Sequence, residues 1–319
     1  MKQAGSPRSE QGVALLLMLF LLVGSATTFF LYTWNAARQN IERDQVTLMA
    51  LQQAKEALIG RAIAGTTNPG RFPCPEQLST SAEGVAANSC NTQATRIGRL
   101  PWKTLGLEKL LDGYGEPLWY AISSNFTTTP INSSTTPQLQ LDGAPNAVVA
   151  LIFAPGPALD GQTRTVASTT LPPQPNNYLD LGNAGGLAFV SKGPSSTFND
   201  HVIAITQTEL LGVLHKRVLS EVRGLDDLTG GLKRYHNDNG SFPWADANGD
   251  GIADTGLIAG RIPYLPSGTL VFDTTTKTWL ENNNWFPLIS YSRLSASVAQ
   301  ISLGSYTLKV YPCTAAPCP

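Results

Sequence analysis

The chain has 319 residues, 42% of them hydrophobic, with 22 Lys+Arg against 23 Asp+Glu and 3 His. Its length allows one large domain or two of about 150 residues each, and a net charge of −1 argues against nucleic acid as a partner. Only 14% of residues are charged while Gly (29) and Pro (22) are plentiful, so much of the chain must be turns and irregular loops.

A large share of the apolar content lies near the N-terminus. Residues 13–34 carry no charge. At about 1.5 Å rise per residue they make a helix of roughly 33 Å, enough to cross a hydrocarbon core of roughly 30 Å. Lys2 and Arg8 precede the run, which keeps the short tail in the cytoplasm and exports the remainder. Tyr32 and Trp34 sit where an interfacial aromatic belt is expected. Two plainer readings compete: a secretory signal cleaved near Gly24-Ser25-Ala26, and a simple single-pass anchor. Beyond the run, Ile41, Leu48, Leu51, Leu58 and Ala62 recur at three-to-four-residue multiples, and no Pro interrupts residues 13–64. The pattern predicts one helix of about 50 residues, roughly 75 Å long.

The segment Gln11-Gly12-Val13-Ala14-Leu15-Leu16, a polar leader ending in Gly and followed at once by an apolar helix, resembles the N-terminus of type IV pilins and type II secretion pseudopilins. The resemblance implies cutting by a prepilin peptidase between Gly12 and Val13. Leu17 stands at the fifth position of the resulting chain, where most family members carry Glu, a departure that resembles minor members. A second likeness is Asp112-Gly113-Tyr114-Gly115-Glu116-Pro117-Leu118-Trp119-Tyr120, which is similar to the D-x-[WY]-G-x-P-x-x-Y turn of major pseudopilins. Physically, Gly113 and Gly115 permit positive φ, Pro117 fixes the exit and the aromatics enter the core. The resemblance spans residues 11–120.

Further along, three short blocks occur twice. Phe72-Pro73-Cys74-Pro75 matches Phe242-Pro243-Trp244-Ala245, and Gly98-Arg99-Leu100-Pro101-Trp102 matches Gly260-Arg261-Ile262-Pro263-Tyr264. Trp119 to Ser123 is echoed more weakly by Phe286 to Ser290. Each set follows a helix, the second being predicted over residues 209–235 from an apolar stripe, with Gly224, Gly230 and Gly231 weakening it. Residues 147–154 and 201–205 read as strands, as do 269–272, 279–281 and 306–310. The Thr-, Ser- and Pro-rich segments 127–137 and 168–177 read as surface loops. The expected fold class is therefore α+β, with a long N-terminal membrane-spanning helix (a pilin-like stalk) and two helix-plus-small-antiparallel-sheet units. The divisions are a leader at 1–12, the helix at 13–64, and units at 65–205 and 206–319.

For ligands, Asp246, Asn248, Asp250, Ile252 and Asp254 follow the Ca²⁺-loop order of alternate oxygen ligands, Gly251 for the turn and then a backbone carbonyl. Leu257 stands where an EF-hand has its bidentate Glu, so the loop recruits a distant carboxylate such as Glu281 or binds weakly. A plain Asp/Asn/Gly turn is the competing reading. Of three possible pairings of Cys74, Cys90, Cys313 and Cys318, the local one, 74–90 and 313–318, is the simplest. His201, His215 and His236 are scattered, and only Asp200 beside His201 suggests a catalytic pair, with no evident nucleophile. No enzyme is expected. The expected protein is a minor pilin or pseudopilin-like structural component, single-pass in a bacterial inner membrane with its C-terminal part periplasmic. Its expected partners are other pilin or pseudopilin subunits through the stalk, and the peptidase. The alternative is an anchored periplasmic binding or adhesion module.

Overall fold

A computed structural model describes residues 8–92, 95–164, 172–224, 229–265 and 270–313, with the side chains of 8–14, 30–33, 35–37 and 147 outside that description. Residues 1–7 of the expected leader also lie outside it. The helix α1 (Arg8–Ala64) has 57 residues, roughly 85 Å at helical rise. Thr47, Ala50, Leu51, Ala54, Leu58 and Ala62 are buried along one stripe, as three-to-four-residue spacing requires. From Leu15 to Val23, by contrast, every side chain is between 54% and 74% exposed. The helix thus has a docked C-terminal part and a projecting N-terminal part.

The expectation of a membrane-spanning helix, and with it of a single-pass inner-membrane protein, is corrected here. Among the described residues no helix is long and apolar enough to cross a membrane. After Val23 the apolar side chains are interrupted by Ser25, Thr27 and Thr28, whose hydroxyls donate back to the carbonyls of Leu22, Val23 and Gly24.

The first sheet comprises β1 (Ile97–Arg99), β2 (Trp119–Ile122), β3 (Leu139–Leu141), β4 (Ala144–Ala154), β5 (Ala188–Phe189) and β6 (His201–Thr206). Its order is β1-β2-β4-β3-β5, with β6 on the other side of β4. All pairs are antiparallel except β3 with β5. β2 and most of β4 are buried on both faces, which explains why they read as unbroken apolar runs. One face packs on α1. The other packs Ile97, Trp119, Leu151 and Phe153 against Tyr178, Leu179 and Phe189.

The second sheet is a meander of β7 (Ala259–Arg261), β8 (Ser290–Ser295), β9 (Val298–Leu303) and β10 (Tyr306–Val310), antiparallel throughout. Helix α2 (Gln207–Arg223) packs on it. A reciprocal capping box starts α2, with Thr206 accepting from Glu209 N while Glu209 accepts from the Thr206 N–H. The helix predicted over 209–235 is in fact divided. α2 ends at Gly224, whose φ is 96°, and α3 (Gly231–Asn239) follows. Positive φ at Gly224 cannot continue an α-helix. The strand predicted at 279–281 is also corrected: these residues lie in α4 (Thr274–Asn282), because Asp273 caps it by accepting from Thr275 and Thr276 N–H.

Both units share one core, in which Leu51 and Leu58 of α1 and Leu210, Leu214 and Val218 of α2 join Tyr291 and Ile301. The segment 127–137, expected as a surface loop, contributes to that junction. Ile131 is fully buried, and its N–H donates to Asn283 Oδ1 at 2.7 Å. Asn132 Nδ2 donates to Asn283 O at 2.7 Å.

Candidate functional site

The repeated blocks build the same framework twice. In the first unit Gly98 pairs with Tyr120, and the Tyr120 hydroxyl donates to Pro73 O at 3.2 Å. In the second, Gly260 pairs with Tyr291, and the Tyr291 hydroxyl donates to Pro243 O at 2.8 Å. Glu76 bridges Arg99 as Asp246 bridges Arg261. A Cβ on Gly98 would lie 2.3 Å from Glu76 O, and one on Gly260 would lie 2.4 Å from Asp246 O. The glycines of the two Gly-Arg blocks are therefore set by close backbone approach. The third block is corrected in register: Tyr120 is matched by Tyr291 rather than by a residue within 286–290.

The turn 112–120 grips α1 where the helix leaves the body. Asp112 accepts on Oδ1 from Tyr114 and Glu116 N–H, at 2.8 and 2.9 Å, and on Oδ2 from Gly156 N–H at 2.9 Å. Gly115 has the expected positive φ, 83°. Gly113 does not, and is needed for another reason: a Cβ there would lie 2.2 Å from Arg43 O. Its N–H donates to Thr47 Oγ1 at 3.0 Å, and the Arg43 guanidinium lies 5.1 Å from the Tyr114 ring centre. Farther down, Lys55 Nζ pairs with Glu209 at 2.6 Å and donates to Ala204 O at 2.8 Å. Arg217 Nη1 donates to Ile63 O and Gly65 O at the helix end, where carbonyls lack helical partners. Thr47, Arg43 and Arg217 carry no pattern in the sequence that marks these roles.

Gly12 and Val13, the expected processing pair, lie within the first turns of α1. Leu15, the first residue of the helix whose side chain is described, is apolar and exposed.

The loop 246–254 is organised chiefly by one carboxylate. Asp246 is 1% exposed, accepting on Oδ1 from Asn248 and Gly249 N–H and on Oδ2 from Gly251 N–H. Asn248 Oδ1 accepts from Asp250 N–H, Asp250 Oδ1 from Ile252 N–H and Asp254 Oδ2 from Ala247 N–H. The five residues singled out by spacing thus share one compact turn. Among the described residues, no group of three or more His, Cys, Asp or Glu is placed to hold a metal ion. Glu281 lies on α4, 3.7 Å from Lys277.

Cys74 and Cys90 form a disulfide. Cys313 is disulfide-bonded as well, and Cys318 lies outside the described residues. His215 is buried and meets Ser133 Oγ at 2.9 Å, packed edge-on to Trp285 and Tyr306; burial holds its pKa below the ordinary value. The Asp200 carboxylate does not turn to His201. Its Oδ2 accepts from Asp180 N–H and Asn183 Nδ2, both at 2.9 Å. Burial raises its pKa to about 7, against the downward pull of the hydrogen bonds from Asp180 N–H and Asn183. In comparisons with family models, curated proteins and solved structures, none matches this chain.

Proposed function

We propose that the protein is a structural subunit, minor pilin- or pseudopilin-like, of a type IV pilus or type II secretion filament, with Ca²⁺ as a structural ion of the 246–254 loop. The observation that carries the filament reading is the projecting part of α1, whose side chains from Leu15 to Val23 are apolar and at least 54% exposed. A helix apolar on every side is stable only when covered. In a filament the cover is the same part of neighbouring subunits. The grip of Gly113 and Thr47 on the helix supports this reading, because a rod that transmits packing forces needs a rigid root. Gly12 and Val13 are the proposed processing site, and the prepilin peptidase is the second proposed partner.

Single cysteines at Leu17 and Leu21 test the reading. In cells, oxidation should produce cross-linked ladders through these positions and not through the exposed Leu294. N-terminal sequencing should give Val13 only in the presence of the peptidase. Absence of cross-links at Leu17 and Leu21, together with an unprocessed N-terminus in both strains, sinks it.

A further inference from the structure

Arginine is charged at every accessible pH, and its side chain only donates. Arg61, in the last turn of α1, and Arg71, in the loop that follows it, are both exposed. Neither has an ion-pair partner among the described residues. An arginine in the last turn of a helix ordinarily serves that helix's open carbonyls, but here other groups take that role. Ala62 O accepts from Gly70 N–H at 2.9 Å, and Ile63 O and Gly65 O accept from Arg217. One turn back on α1 from Arg61 stand Ala57 and Leu58, so the helix brings it no carboxylate.

Both arginines line one cleft of about 490 Å³, together with Thr67, Asn68, Asn88 and Thr104, and no Asp or Glu is among its walls. That volume lies within the roughly 300–1,000 Å³ of small-molecule sites. The walls are held in place. The Cys74–Cys90 disulfide ties the 72–74 side to the segment carrying 86–88, and Phe72 N–H donates to Phe126 O at 2.9 Å. Ala87 N–H donates to Pro75 O at 3.2 Å, and Ala86 N–H to Thr104 Oγ1 at 2.9 Å. A ligand therefore meets a preformed surface and does not bear the cost of ordering it. The second unit supplies a comparison within the same chain. Ser241 stands where the first unit has Arg71, and Trp244 where it has Cys74; the nearby cation, Arg293, lies 3.9 Å from the Trp244 ring centre.

We infer that the cleft binds an acidic oligosaccharide, whose carboxylates accept from Arg61 and Arg71 while its hydroxyls exchange hydrogen bonds with the Asn and Thr side chains. Planar carboxylates suit the guanidinium fork, and amides and hydroxyls both donate and accept, as sugar hydroxyls do. The cleft has the space of about sixteen waters at roughly 30 Å³ each, so an inorganic anion would fill little of it. None of its walls is a strand, so a peptide backbone finds no ladder to join.

Calorimetric titration of the full chain with digalacturonate, maltose, diglutamate and inorganic phosphate tests this. Digalacturonate should bind saturably with a Kd of about 1 mM or tighter. Maltose, similar in size but uncharged, should bind at least about tenfold more weakly, as should diglutamate and phosphate. Arg61→Gln and Arg71→Gln should each weaken digalacturonate about tenfold, with Tm unchanged because both side chains are exposed. Arg38→Gln, at an exposed place elsewhere on α1, should leave the affinity as it was. No saturable digalacturonate heat, equal binding of any of the other three, unchanged affinity in either cleft variant, or an equal loss in Arg38→Gln overturns the site. These outcomes do not depend on filament assembly.

Discussion

In the first unit, strand β1 and the outer face of β2 lie under a second layer, where Tyr178, Leu179 and Phe189 cover Ile97 and Trp119. In the second unit, β7 is exposed along its whole length, and β8 alternates, with Tyr291 inward and Ser290 and Leu294 outward. The frameworks beneath are the same, down to the tyrosine hydroxyl on a proline carbonyl. What differs is the chain between strands. β4 and β6 are joined by a long excursion that returns over the sheet, whereas β9 and β10 are joined by a tight turn at Gly304. A shared framework therefore does not determine what its outer face does. The covering layer turns an ordinary surface arginine into a buried one.

The comparison can be broken most sharply at the shared glycines. Gly98→Ala and Gly260→Ala each force a Cβ to within 2.4 Å of a backbone oxygen, and each should lower stability by about 3 kcal/mol in denaturant unfolding. A loss below about 0.5 kcal/mol at either position would mean that the two units do not share the close approach.

The next test separates the layers by pH. Asp200, the residue before β6, ties the covering layer of the first unit to the sheet through Asp180 and Asn183, is 4% exposed and has a pKa of about 7 against an ordinary 3.8. Its folded-state pKa is raised, so the folded protein holds this proton more tightly than the unfolded chain. Stability is therefore fully present below about pH 4 and declines as pH rises towards 7. Unfolding free energies should fall by on the order of 4 kcal/mol over that window from this group, and Asp200→Asn should flatten the dependence. A pH profile unchanged by Asp200→Asn would remove the assignment.

The smallest effect concerns the second unit alone. If Ca²⁺ occupies the loop with a Kd near 1 mM, 10 mM Ca²⁺ should add about 1 kcal/mol, read as a rise in Tm, and Asp250→Asn should abolish it. An unchanged Tm would leave a turn organised by Asp246 alone, as its three backbone donors already permit.

Several features were legible before any coordinates. Residues 13–64 lie in one helix because no Pro interrupts them and their apolar residues recur at helical spacing, and β4 lies where an eight-residue apolar run predicts a buried strand. The repeated Phe-Pro and Gly-Arg blocks pointed to positions that the fold uses alike. Other readings failed for identifiable reasons. The Trp279–Leu280 pair suggested a strand, but the cap at Asp273 sets a helix. Gly113 looked like a turn glycine and is instead where α1 passes against the turn. Segment 127–137 has the composition of a surface loop, yet Ile131 and Asn132 bond to Asn283, some 150 residues later. The apolar N-terminal run suggested a membrane crossing that no described helix supports.

Local chemistry thus specified the long helix α1, the buried strand β4 and the two Gly-Arg blocks that the fold uses alike. Those properties follow from periodicity, caps and backbone sterics within a few residues. Only the tertiary structure decided that one outer face is covered and the other bare, and that Arg99 is buried while Arg261 is not. Coverage depends on where distant segments pack, and no local pattern in β1 or β7 encodes which segment will lie over it.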